Sequence, residues 1–192
     1  MMKKEYKQIN ILAIDQARNG AWSVFNYEEK TPVAFGTFSF GNKDFTFARA
    51  MVEIERLITA VIGAYDISAI FVEDIQLRKN VDSYKKLAML LGVLVAAFER
   101  NDYLYDFVAP SKWQSYCNAR GRTSKEQKSR MTSIELDGKK KSKLLSIQFV
   151  YEQFGIETDN DNLSDALCMG WYICNEIVLN KSNQEAPHGK EN

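Results

Sequence analysis

Hydrophobic and polar positions alternate between two periods along this chain. Residues 9–15, "INILAID", are apolar almost throughout and end on Asp15, the pattern of a central strand buried on both faces. "GAWSVFNYEE" and "TPVAFGTFSF" follow at short spacing, aromatic and β-branched, and predict second and third strands of a meander. Phe47, Met51, Ile54, Ile58 and Val61 then recur at helical spacing and predict a helix over roughly 45–64. "ISAIFVED" is a fourth strand, again ending in acids, Glu73 and Asp74. "SYKKLAMLLGVLVAAFER" is broadly apolar and predicts a long, well-buried helix; "YLYDFV" predicts a fifth strand. "APSKWQSYC" opens another helix with Pro110 in its first turn. A helix around "SKLLSIQFVYEQFG" stops at Gly155. A last helix begins near Asp161, its apolar face being Leu163, Ala166, Leu167, Gly170, Cys174, Ile177 and Val178.

The order is βββαβαβ followed by helices. Right-handed parallel crossovers connect the first, fourth and fifth strands, and the second and third extend the sheet from the first as hairpin partners. The expected result is an α/β fold with a mixed five-stranded sheet, order 3-2-1-4-5, and helices on both faces. That is the layout of the ribonuclease H-like fold. One domain is expected over residues 9–179, flanked by a tail at 1–8 and a flexible tail at 180–192.

Composition narrows the chemistry. The only histidine, His188, sits in the polar tail "NKSNQEAPHGKEN". That argues against a Ser-His-Asp triad, a Cys-His pair or a His-rich zinc site. Cys117, Cys168 and Cys174 form no CxxC pair, so reduced thiols are expected. No apolar run approaches the ~18 residues of a membrane span, and "MMKKEYKQIN" carries no apolar signal segment. No membrane association is expected, and a soluble, cytoplasmic protein is. The formal net charge is zero, but residues 120–143 hold nine basic and three acidic side chains. Such a segment suits a polyanion partner; it also suits a solvated charged loop.

Carboxylates, lysines or a hard metal must therefore carry any catalysis. In the expected layout Asp15 and Glu73 end adjacent parallel strands and lie side by side. Two carboxylates this close repel unless they share a proton or bind a divalent cation, and Mg²⁺ or Mn²⁺ prefers oxygen ligands. The last helix adds Asp161, Asn162 and Asp165 at i, i+3 and i, i+4 spacings, which share a helical face. Three or four oxygen donors from separate segments would suit two metal ions on a phosphodiester. Asp161 or Asn162 also serves as an N-cap, and the two roles are compatible.

At this point the sequence resembles the RuvC-type Holliday junction resolvases. In "IFVEDIQLRKNVDSYKKLAMLLGVL", Lys79, Asn80, Asp82, Ser83, Leu87 and Gly92 match the family pattern after the strand-end Glu. "ILAID" with "GAWSVF" resembles the first motif, "APSKW" and "GRTSKEQKSRM" the helix start and Gly…Lys segment, and "SDALCMG" the last motif. The likeness is collinear over roughly 9–178. It implies a homodimeric, metal-dependent endonuclease that nicks two strands of a four-way DNA junction symmetrically. It implies Mg²⁺, with Mn²⁺ substituting and two ions per site. Asp15, Glu73 and Asp165 are then the metal-binding acids, with Asp161 or Asn162 as a further ligand. Lys128 best matches the active-site lysine, with Lys125 the alternative if a small insertion is counted. Lys79, Asn80, Lys112, Arg120 and Arg122 would contact DNA phosphates.

Departures from the pattern bear on substrate. Asn162 stands where the family commonly has Asp or His, with Asp161 one step earlier, a feature of divergent members that include viral ones and leave a phage origin open. Gln76 replaces the commonly aromatic residue that wedges into the junction, and "QARNG" replaces Pro-Gly after the first Asp. Two other readings follow: a broader branched-DNA or flap nuclease on the same fold, and a non-catalytic junction-binding protein.

Overall fold

The computed structural model describes residues 8–40, 46–76, 80–119 and 141–179, the last segment without the side chains of 141–144. Five strands form one sheet: β1 (Asn10–Asp15), β2 (Asn19–Asn26), β3 (Thr31–Ser39), β4 (Ile67–Glu73) and β5 (Tyr105–Val108). Their order is β3-β2-β1-β4-β5, as expected from the chain. β1 is antiparallel to β2 and parallel to β4, and β4 is parallel to β5. The helices among the described residues are α1 (Phe47–Tyr65), α2 (Val81–Arg100), α3 (Pro110–Tyr116), α4 (Lys141–Phe154) and α5 (Asp161–Glu176). None of the described helices is long and apolar enough to cross a membrane. The two expected tails lie almost wholly outside the described residues.

The period-two alternation of the central strands sorts the core into two layers. Leu12, Ile14, Ile70 and Val72 pack against α1 and α2 through Ile54, Ile58, Leu90 and Leu94. Ile11, Ala13, Ala69 and Phe71 pack on the other face against Trp113, Val150, Leu167 and Ile173 of α3, α4 and α5. β1 is buried from Asn10 to Ile14, as its unbroken apolar run requires.

Two details differ from the sequence reading. α2 buries only Leu90, Leu94, Ala97 and Phe98, because the sheet takes one face of a helix that is apolar nearly all round; Met89 remains 55% exposed. α5 ends at Glu176, and Ile177 turns extended, so Val178 leaves the apolar face and is 80% exposed. α4 stops where expected, with Gly155 at φ 66° donating back to the Tyr151 carbonyl at 2.9 Å.

Candidate active site

Asp15 and Glu73 are the last residues of β1 and β4. The parallel register pairs Ile14 with Val72, so the two acids follow side by side at the carboxyl edge of the sheet. Alternation sends both toward the α3–α5 layer, on the side of Ala13 and Phe71. Both line a cleft of about 390 Å³, shared with Gln16, Gln76, Asn80 and Pro110.

Nothing in the sequence pattern placed Trp113 at the site. Its ring is 2% exposed, yet its Nε1 donates to Glu73 Oε1 at 3.0 Å. That bond holds the carboxylate in one orientation, and a hydrogen bond to a charged acceptor is among the stronger kinds. The indole reaches Glu73 because α3 starts at Pro110 immediately after β5, and Pro at N1 is pre-set for a helix start. A tryptophan three residues after such a proline was the one available signal.

α5 is fastened over the sheet beside this edge. Asn162 Nδ2 donates to the carbonyl of Asn19 at 3.0 Å, where β2 begins alongside the end of β1. Ser23 Oγ donates to the Ala166 carbonyl at 2.7 Å. Gly170 permits the close approach, since a Cβ there would stand 2.5 Å from the Phe25 ring. The N-cap is Asn160, whose side chain accepts from Leu163 N at 3.0 Å; neither Asp161 nor Asn162 caps the helix, because both are already inside its first turn. Asp161 instead places its charge at the positive end of the helix dipole.

Asp165 lies one turn further on, just before Cys168. Cys168 is buried against Cys117 of the α3 terminus, whose Sγ donates to the Cys168 carbonyl at 3.5 Å. Burial first, then Cys117, then the Asp165 charge push the Cys168 thiol upward. Asp161, Asn162 and Asp165 are not among the residues lining the cleft. Among the described residues no three His, Cys, Asp or Glu side chains converge closely enough to hold a metal. The structure brings Asp15 and Glu73 together and leaves the α5 acids on a neighbouring element.

Asn80 lines the cleft and caps α2, its Oδ1 accepting from Ser83 N at 3.1 Å. Lys112 lies in α3, one residue before Trp113. Lys79, Arg120, Arg122, Lys125 and Lys128 lie outside the described residues.

A 3-2-1-4-5 sheet with acids paired at the carboxyl ends of its first and fourth strands defines the ribonuclease H-like class. The family model "Crossover junction endodeoxyribonuclease RuvC" matches residues 10–148, most of the chain. The protein belongs to that family. A crossover junction endodeoxyribonuclease RuvC of Pelodictyon phaeoclathratiforme is 31% identical over 122 residues, 63% of this chain and 57% of that relative. The match thus spans little more than half the length of that relative. Among solved structures, Thermus thermophilus RuvC superposes with a TM-score of 0.62 at 14% identity, over 85% of this chain and 92% of that one. The same protein in complex with Holliday junction substrate gives 0.61 at 12% identity, over 85% and 91%. The yeast mitochondrial Holliday junction resolvase gives 0.51 at 15% identity, over 88% and 80%. At these identities the structural likeness establishes the fold.

Proposed function

We propose that this protein is a divalent-cation-dependent endonuclease that resolves four-way DNA junctions by paired symmetric nicks, acting as a homodimer. The observation that carries the reading is the pair Asp15 and Glu73, side by side in a cleft of a chain from this family. Their chemistry fits a hard cation: two adjacent carboxylates with only oxygen donors suit Mg²⁺, with Mn²⁺ as a substitute, and two ions per site. When bound, such ions supply an activated water and charge stabilisation for the phosphate under attack.

The residues of the chain would do the rest. Asp15 and Glu73 hold the cation, and Trp113 fixes the Glu73 carboxylate through its indole N–H. Asp165 is the third acid in this reading, joined by Asp161 or by Asn162. Asn162 already commits its Nδ2 to Asn19, so it has only its amide oxygen to offer. Lys128, or Lys125 in its place, offsets charge on the phosphate. Lys79, Lys112, Arg120 and Arg122 contact the DNA backbone. Asn80 joins them through its Nδ2, because its Oδ1 is taken by the α2 cap.

Support for the dimer comes from α2. From Leu87 to Phe98 no residue carries a charge, and Met89, Gly92 and Ala96 are exposed on its outer side.

The test is cutting of a synthetic four-way junction with Mg²⁺ or Mn²⁺. Asp15→Asn and Glu73→Gln are expected to lose cutting while binding the junction as the parent does. Wild-type cutting that persists in excess chelator would rule the reading out. A second reading, a broader branched-DNA nuclease, is favoured by Gln76, exposed at the cleft where the family commonly places an aromatic wedge. Equal cutting of four-way junctions, three-way junctions and flaps would select it.

A further inference from the structure

The cleft that holds Asp15 and Glu73 has a second wall. α2 packs on the sheet face opposite α3 and α5, so the cleft runs over the carboxyl edge of the sheet, from the two acids to the start of α2. Asn80, Ser83, Tyr84 and Leu87 all line it. Their spacing, i, i+3, i+4 and i+7, is that of one helical face, so this face of α2 is turned to the cleft. Tyr84 is the one aromatic residue among those lining the cleft, with Ile75, Leu87 and Pro110 as aliphatic companions. Gln76, exposed at the same cleft, offers no ring. Tyr84 is half-buried. Among the described residues, the partly buried aromatics packed on the α2 layer are Trp22, Phe40, Tyr65, Tyr103 and Tyr105; Tyr84 is not one of them, nor does it pack on the other layer. An aromatic ring that neither core uses, standing in a cleft, presents a large apolar face to whatever enters.

We propose that Tyr84 stacks on a nucleobase next to the phosphate cut at Asp15 and Glu73, so that the cleft takes a nucleotide whose base has left the duplex stack. The inference rests on the nuclease reading above. A phosphodiester seated at the two acids carries a deoxyribose and a base on each side. One of these nucleosides must lie along the cleft, whose volume of about 390 Å³ is within the range of small-ligand pockets. Every base has a π-face, so an aromatic ring on the wall binds it whatever its identity. The face is available only where a base is unstacked, as at a branch point or in a single strand; within linear duplex both faces are covered by neighbours. Tyr84 would thus select branched DNA through stacking rather than through sequence.

The contrasting role is that of a plain wall residue, and a cycle that removes the ring and the base in turn separates the two. The cut phosphate of a synthetic four-way junction is first mapped with the full-length wild-type protein and Mg²⁺. The kcat/KM for cutting is then measured for wild type, Tyr84→Phe and Tyr84→Leu. The substrates are the intact junction and junctions made abasic at the nucleotide on either side of the cut. Tyr84→Phe keeps the ring and is expected to cut like wild type. Tyr84→Leu keeps an apolar side chain without a π-face and is expected to lose about tenfold on the intact junction. On one of the abasic junctions wild type should fall to the level of Tyr84→Leu, and Tyr84→Leu should lose nothing more. Wild-type cutting by Tyr84→Leu, or a loss that persists in full on both abasic junctions, would overturn the stacking role and leave the nuclease reading standing. A wild-type protein that cuts no branched DNA would overturn both. Should Tyr84→Leu not fold, wild type decides: equal cutting of the intact and both abasic junctions contradicts the proposal.

Discussion

Trp113 shows how a core side chain can serve a site. Trp113→Phe keeps most of the ring and removes the indole N–H that donates to the Glu73 carboxylate. Cutting of a four-way junction is expected to slow roughly tenfold, the rate equivalent of about 1.4 kcal/mol, while junction affinity stays near that of the parent. An unchanged single-turnover rate would show that the bond only packs. A second residue-scale expectation concerns Cys174. Burial, against a smaller lowering by Lys30, pushes its thiol from 9.0 up to about 12. The unfolded thiol ionises first, so between these values the unfolded state binds fewer protons and stability falls as pH rises. Cys168 and the tyrosines Tyr116 and Tyr172 are displaced upward too, mainly by burial. The melting temperature is therefore expected to drop from about pH 8 to about pH 10.5. Cys174→Ala should show a shallower drop, and parallel curves would contradict the assignment. Asp15 and Glu73 were legible in the sequence because each ends an apolar run and alternation then fixes its face. Trp113 was not, since a hydrogen bond from α3 to β4 depends on where two separate elements meet.

Elements were legible where one periodicity dominated, and ambiguous where several residues could play one part. α5 begins at Asp161 as expected, yet "DNDN" offers four consecutive capping side chains, and only backbone geometry selects Asn160. α2 is apolar on too many sides for periodicity to choose its buried face. The seating of α5 on β2 is a sharper matter. Gly170→Ala places a methyl against the Phe25 ring and forces the helix outward. A loss of about 1–3 kcal/mol is expected in urea unfolding. Phe25→Leu in the same chain should recover part of it, because the ring is the obstacle. A Gly170→Ala protein as stable as its parent would mean that the sheet yields without cost.

At the scale of the whole molecule, the strand order followed from chain order and the handedness of parallel crossovers. The contact of the proposed dimer did not, because a sequence does not say which apolar helix face is left exposed. Here that face is the Met89 side of α2. Met89→Glu puts a charge into an otherwise uncharged stripe. If the protein is the proposed dimer, this variant is expected to shift toward monomer in light scattering, and an unchanged mass would remove α2 from the proposed contact. The short helix α3 has a different consequence. In seven residues it grips Glu73 through Trp113, and from its C-cap it meets the Cys168 carbonyl through Cys117. Fraying of one small segment would therefore loosen two acid-bearing elements at once. Short helices open locally at a fraction of the global free energy. Under the proposed nuclease reading, warming is thus expected to end junction cutting before circular dichroism records unfolding, with α3, the shortest of the described helices, setting the threshold.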